Sequence, residues 1–173
     1  MPVFSYLSYS SENTFDSKMK TSGSVMGRAK HLPTALFKGY EGSDLMISTY
    51  GTVFISVKDS EKHNAIKIAA RFHQLGFKLL ATEGTANVLA EEGITTGIIE
   101  KVQEGSNSLL EKIKQHRINL VINVTSLSDS ASHDAIMIKD AALSTHIPVF
   151  SSLQSAQDVL IVLETLAMTT QPL

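Results

Sequence analysis

The chain has 173 residues, 43% of them hydrophobic, a net charge of −2 and no cysteine. That size and apolar content suit one ordinary folded domain, or one domain with an appendage, and exclude wholesale disorder. The charge balance lacks the basic stripe of a nucleic-acid binder, the absence of cysteine excludes disulfides and thiolate chemistry, and no apolar run reaches the roughly 18 residues of a membrane span. The start, Met1-Pro-Val-Phe-Ser-Tyr-Leu-Ser-Tyr9, has no basic region followed by a long apolar run, so no signal peptide is expected. A reducing cytosol fits these features. Histidines at 31, 63, 73, 116, 133 and 146 form no pair at zinc-ligand spacing, and no metal site is expected.

Residues 1 to about 45 read differently from the rest. Ser, Thr, Lys and Gly dominate residues 8–27, and Met19-Lys-Thr-Ser-Gly-Ser-Val-Met-Gly27 reads as an irregular loop. A short helix is expected from Leu32 to about Tyr40, with Leu32, Ala35, Leu36 and Gly39 on one side. Gly42-Ser43 marks the boundary with a second segment, residues 46–173. From Thr52 onward strands and helices alternate. Thr52-Val-Phe-Ile-Ser-Val57 is a buried strand. Asp59 or Ser60 caps a helix with Ala65, Ile66, Ala69 and Phe72 inward, and Gly76 closes it. Phe77 to Ala81 is the next strand, broken at Thr82-Glu83-Gly84-Thr85 before a helix through Ala86, Val88, Leu89 and Ala90.

A weaker third strand falls between Ile94 and Glu100. Asn107 or Ser108 opens a helix carrying Leu109, Leu110 and Ile113, and Ile118 to Val124 is the clearest strand in the chain. A polar loop, Thr125 to Ser132, precedes a helix from about Asp134 to Thr145 with Ala135, Ile138, Ala142 and Leu143 inward. Ile147 to Ser151 is a last short strand, its Pro148 tolerable at a strand start. Ser152 to about Met168 closes the chain as a helix. Five strand–helix units in about 120 residues predict an α/β fold, a doubly wound five-stranded parallel sheet between helical layers.

In such sheets ligands bind beyond the carboxyl ends of the strands, where strand order reverses. The polar groups there are Ser56, Thr82, Thr85, Lys101, Asn123 and Thr125. A strand entering a helix through Thr-x-Gly-Thr aims free N–H groups, here those of Gly84 and Thr85, at an anion, with two hydroxyls beside them. Lys62 lies early in its helix and can swing over the same crevice, and Asn123 offers a donor and an acceptor for a ribose or base edge. Thr82 and Thr85 read equally well as simple helix caps, and the lysines as solvated surface. Asp129, His133 and Asp134 suggest acid–base chemistry and Ser126, Ser128, Ser130 and Ser132 suggest nucleophiles. None stands in a strand–turn–helix elbow, however, and Asp134 reads better as part of a helix start.

Leu75-Gly-Phe-Lys-Leu-Leu-Ala-Thr-Glu-Gly-Thr-Ala86, Val102-Gln-Glu-Gly105 and Leu120-Val-Ile-Asn-Val-Thr125 resemble the C-terminal regulatory domain of the carbamoyl phosphate synthase large subunit, of the methylglyoxal synthase-like superfamily. Pro2-Val-Phe-Ser-Tyr6 and Met19 to Gly27 resemble the tail of the synthetase half that precedes it, although Ser24 stands where that family usually has glutamate. The resemblance implies a three-layer Rossmann-type domain at 46–173 behind a synthetase tail at 1–45, cut from a longer cytoplasmic protein. It implies an allosteric module that binds a nucleoside monophosphate, UMP as inhibitor in most members and IMP as activator in some.

By the same resemblance, Lys62, Thr82 and Thr85 hold the phosphate, Lys101 and Asn123 contact the nucleotide, and Ser56 and Thr125 line the site. This portion is expected to be non-catalytic and to need no cofactor. The parent enzyme would be a ligase using ATP, Mg or Mn and glutamine-derived ammonia for pyrimidine or arginine biosynthesis. Its expected partners are the synthetase core, through it the small glutaminase subunit, and in some settings a second copy of itself. The positions near Val149 to Ser151 do not match those that contact ornithine in enteric homologues.

Two alternatives stand beside this reading. One is methylglyoxal synthase itself, a lyase acting on dihydroxyacetone phosphate. His133-Asp134 echoes half of its His-Asp-Pro-Asp signature, but Ala135 and Ile136 replace the rest, and Glu104-Gly-Ser-Asn-Ser108 carries no carboxylate after the glycine. The other is a purely structural or oligomerisation module.

Overall fold

The computed structural model describes residues 3–6, 23–43, 47–100, 108–125 and 129–169. Part of the segment expected to be an irregular loop is instead a strand. β1 (Val3–Tyr6) pairs antiparallel with β2 (Gly23–Met26), Val3 opposite Met26 and Tyr6 opposite Gly23. A pairing between strands this far apart in sequence leaves no local signature for a hairpin to be read from. Just beyond β2, Gly27 lies against α1 (Leu32–Gly42) so closely that a Cβ there would strike the Ala35 carbonyl.

Five strands then form one all-parallel sheet: β3 (Thr52–Val57), β4 (Lys78–Ala81), β5 (Gly97–Ile98), β6 (Leu120–Val124) and β7 (Val149–Phe150). Their order is β5-β4-β3-β6-β7, so the chain walks outward from β3 in one direction and then returns to walk outward in the other. The reversal lies between β3 and β6. Helices α2 (Lys62–Gln74), α3 (Glu83–Glu91), α4 (Ser108–Lys114), α5 (Asp129–Ser144) and α6 (Leu153–Thr169) supply the crossovers and the close of the chain. The expected α/β fold, a doubly wound parallel sheet covered on both faces, is the observed one.

The two cores follow from the alternation of side chains along each strand. Val53, Ile55, Val57, Leu79, Ala81, Leu120 and Ile122 face α1, α2, α3 and α6. Phe54 and Val121 face the other way, toward Leu109, Leu110 and Ile113 of α4 and Ile138, Ala141 and Ala142 of α5. Tyr40 of α1 joins the first core, meeting Phe150 edge to face at 6.2 Å, and burial pushes its phenol well above the usual tyrosine range, with Asp158 adding to the effect. Arg71 of α2 forms a two-pronged pair with Glu164 of α6, both contacts at 2.7 Å.

Three element boundaries depart from expectation. α5 begins at Asp129 rather than near Asp134. The run of Ser and Asp there weighs against helix by local propensity, and the apolar face of the later turns overrides it. β5 is two residues long, both exposed, at the sheet edge, where little packing extends a strand. A 3₁₀ turn, Asp59–Glu61, precedes α2 where a helix cap was expected.

The packing makes a graded prediction. Phe72 is fully buried and meets Phe77 edge to face at 5.5 Å, so Phe72→Ala is expected to cost about 3–5 kcal/mol in urea unfolding. Arg71→Ala should cost only about 1 kcal/mol or less, because the Arg71–Glu164 pair is about one-third exposed and solvent screens it.

Candidate functional site

The site begins where β4 is shorter than β3. The ladder between them runs as far as Ile55 opposite Ala81, after which β4 gives way to Thr82 and α3. Val57 therefore has no β4 residue opposite it. Its N–H donates instead to the Thr85 hydroxyl, a long contact of 3.5 Å, and the Thr82 hydroxyl donates to the same Thr85 oxygen at 3.3 Å. Both threonines are buried, at 5% and 2% exposure.

This arrangement bears on the capping reading of Thr82. Thr82 does occupy the N-cap position, with extended backbone, but its side chain makes no capping hydrogen bond. The Thr85 N–H, expected to be free, donates to the Thr82 carbonyl at 2.9 Å, and the Ala86 N–H donates to the same oxygen at 2.8 Å. The N–H groups of Glu83 and Gly84 are the ones left without an acceptor among the described residues. The expected donor pair thus shifts back by one residue, keeping Gly84 and replacing Thr85 with Glu83.

Lys62 lies at the same helix start. A Cβ built on Gly84 would lie 2.8 Å from Lys62 Nζ, so the ammonium rests directly over the first turn of α3. A helix start carries partial positive charge, and an ammonium there is electrostatically unfavourable unless an anion joins it. Asp59 supplies one carboxylate oxygen, 2.7 Å from Nζ.

Across the strand reversal, Ser56 of β3 stands in register with Asn123 of β6, and both fall on the second face of the sheet by alternation with Phe54 and Val121. Asn123 is 6% exposed. The Lys58 N–H donates to the Val124 carbonyl at 2.8 Å, tying the two strand ends together, and Thr125 follows, exposed. Ser56, Lys62, Thr82, Gly84, Thr85, Asn123 and Thr125 are therefore gathered at the carboxyl rim of three adjacent strands. Lys101 lies outside the described residues, as do residues 104–107 and 126–128. Among the described residues no group of three or more His, Asp or Glu could hold a metal ion.

One polar group stands elsewhere in its helix than expected. Asp134, read as part of a helix start, sits in the second turn of α5, one turn before Ile138 on the side that covers the second core. Its Oδ1 is buried with no hydrogen-bond partner among the described residues. A buried carboxylate oxygen left unpaired costs free energy. The His133-Asp134 dipeptide was the available signal in the sequence.

A family model described as an MGS-like domain matches residues 64–151, just over half of the chain. The chain belongs to that family. Among solved structures it is similar to one titled "Crystal structure of ForH", with 21% identity and a TM-score of 0.54 over 67% of this chain and 80% of that one. It is also similar to methylglyoxal synthase from Elizabethkingia anophelis NUHP1, with 15% identity and a TM-score of 0.50 over 66% of this chain and 79% of that one. At these identities the likeness shows the MGS-like α/β fold. No helix among the described residues is long and apolar enough to cross a membrane.

The Gly84–Lys62 contact gives a test that separates stability from binding. In Gly84→Ala the new methyl meets only the far end of a flexible side chain, so thermal unfolding should shift by no more than about 1–2 °C in either direction. The ammonium must move, however, and affinity for a phosphate monoester should fall by about tenfold. Calorimetric titration alongside a melting curve measures both.

Proposed function

We propose that this MGS-like domain binds a nucleoside monophosphate and acts as a regulatory sensor, as the C-terminal domain of the carbamoyl phosphate synthase large subunit does. The observation that supports this best is the Lys62 ammonium held over Gly84, at the positive end of α3, beside two threonine hydroxyls that cap nothing. A phosphoryl group there would accept from Lys62, from the Glu83 and Gly84 N–H groups and from the Thr85 hydroxyl, all charge-assisted bonds. Asn123 and Ser56, on the neighbouring strand ends, suit the sugar or base that a bare phosphate lacks. The order of motifs along the chain, Met19 to Gly27 ahead of Leu75 to Ala86 and Leu120 to Thr125, supports the synthase assignment. Regulation then requires the nucleotide to favour one arrangement of the domain against the rest of the enzyme, since a ligand shifts only equilibria whose states it binds unequally.

A second reading, phosphate-assisted lyase chemistry on dihydroxyacetone phosphate, is favoured by one specific observation. Asp134 presents a buried carboxylate oxygen without a partner among the described residues, and such a group is a candidate base. Against it, residues 106–108 hold no carboxylate and Ile136 replaces the second aspartate of the methylglyoxal synthase signature.

Titration with UMP and IMP is expected to give saturable binding, reduced about 10- to 100-fold by Lys62→Ala or Thr85→Ala, the loss of one hydrogen bond to a charged group. No heat with either nucleotide at millimolar concentration, from folded protein, would sink the sensor reading. Incubation with dihydroxyacetone phosphate is expected to yield no methylglyoxal. Its formation, abolished by Asp134→Asn, would establish the lyase instead.

A further inference from the structure

We propose that the amino rim of the parallel sheet, where the strands begin, docks on the same rim of a second copy of this chain. The inference is independent of the anion-binding reading, whose site lies at the opposite, carboxyl rim. In a parallel sheet each crossover helix runs back toward the strand starts, so α2, α3, α4 and α5 all end at this rim. Two kinds of charge end there with them. α3 closes on Glu91 and Glu92, both exposed, with no basic residue in its last turn. α4 closes on Lys114, with Arg117 just beyond it, and both are exposed. Lys78, the first residue of β4, alternates with Leu79 and so falls on the side of the sheet that α4 covers. Because α3 packs into the first core and α4 into the second, the acidic and basic groups occupy opposite sides of one rim.

The two sides differ in how they suit their own helices. The last turn of a helix carries partial negative charge, which the α4 cations complement and the α3 glutamates oppose. Among the described residues neither glutamate forms an ion pair. A cation from outside relieves that repulsion, and the rim of a second copy carries three. Two apolar groups add to the surface. Tyr50 and Met168 are 76% and 79% exposed, the highest values of any large apolar residue described. Tyr50 stands two residues before Thr52, whose carbonyl accepts from Asn119 at the start of β6, and so lies under the middle strand of the five. Met168 lies one turn past Glu164, which reaches Arg71 in the last turn of α2, and this sets it at the same rim. A twofold axis lying along the rim beneath β3 sets the acidic side of each copy on the basic side of the other, forming both contacts at once. A partner of one charge sign would answer only half of this surface. In the dimer both carboxyl rims face outward, and both candidate sites stay open.

Sedimentation equilibrium of the full chain at low salt is expected to show mass rising from one chain toward two between about 1 and 200 μM. Salt at about 0.5 M should weaken the association, because exposed charges are then screened. The double variants Glu91→Lys/Glu92→Lys and Lys114→Glu/Arg117→Glu should each self-associate at least about tenfold more weakly. Mixed in equal amounts, the two variants should pair with each other, since one rim is then cationic on both sides and the other mainly acidic. Circular-dichroism melts close to that of the unmodified chain check that these exposed changes leave the fold intact. An unmodified chain that stays monomeric at every concentration, association that neither reversal weakens, or variants that fail to recombine would each overturn the proposal.

Discussion

An ammonium lying over the positive end of a helix is the arrangement on which the candidate site depends. Left alone it is repulsive, and it persists because α2 and α3 both pack into the first core and fix where their first turns meet. The cores thereby hold in place a contact that local electrostatics would not choose. That relation runs from sequence to chemistry in one direction. Ala65, Ile68, Ala69 and Phe72 seat α2, Ala86 and Leu89 seat α3, and the two helix starts converge as a result.

The same logic accounts for the threonines. Because β4 stops before β3, one backbone N–H of β3 needs an acceptor that no strand can give, and Thr85 supplies it from the next helix. The Thr85 hydroxyl is thus fixed by a structural demand and remains able to donate outward. Thr82, buried beside it, is oriented by Thr85 rather than by the helix end. A residue can in this way serve the fold with one lone pair and a ligand with its proton.

Much of this was legible in the sequence, for reasons that particular residues make plain. Thr52 to Val57 is apolar or β-branched at every position but Ser56, and it is a strand over that whole span. Gly76 was expected to close α2, and it stands just past that helix with a φ of +86°, where glycine is at ease. The strand ends that gather at the rim follow from parallel topology once the strands are known. What could not be read was set by distance in sequence or by side-chain direction. The β1–β2 pairing joins residues about twenty apart across polar chain. The early start of α5 runs against Ser and Asp propensity, and the buried Asp134 oxygen depends on which way one helix turn faces. That the Thr82 side chain turns to Thr85 and makes no capping hydrogen bond depends likewise on side-chain direction.

The strand reversal between β3 and β6 has a further consequence. Ser56, Lys62, Thr82, Gly84 and Thr85 all come from one continuous stretch of thirty residues, whereas Asn123, Thr125 and Asp134 arrive from the other wing of the sheet. Under the proposed reading, the grip on the phosphoryl group and the reading of whatever is attached to it are encoded separately. Substitutions in the later wing can then exchange one attached group for another while the anchor stays as it is, which makes the architecture readily retuned within a lineage.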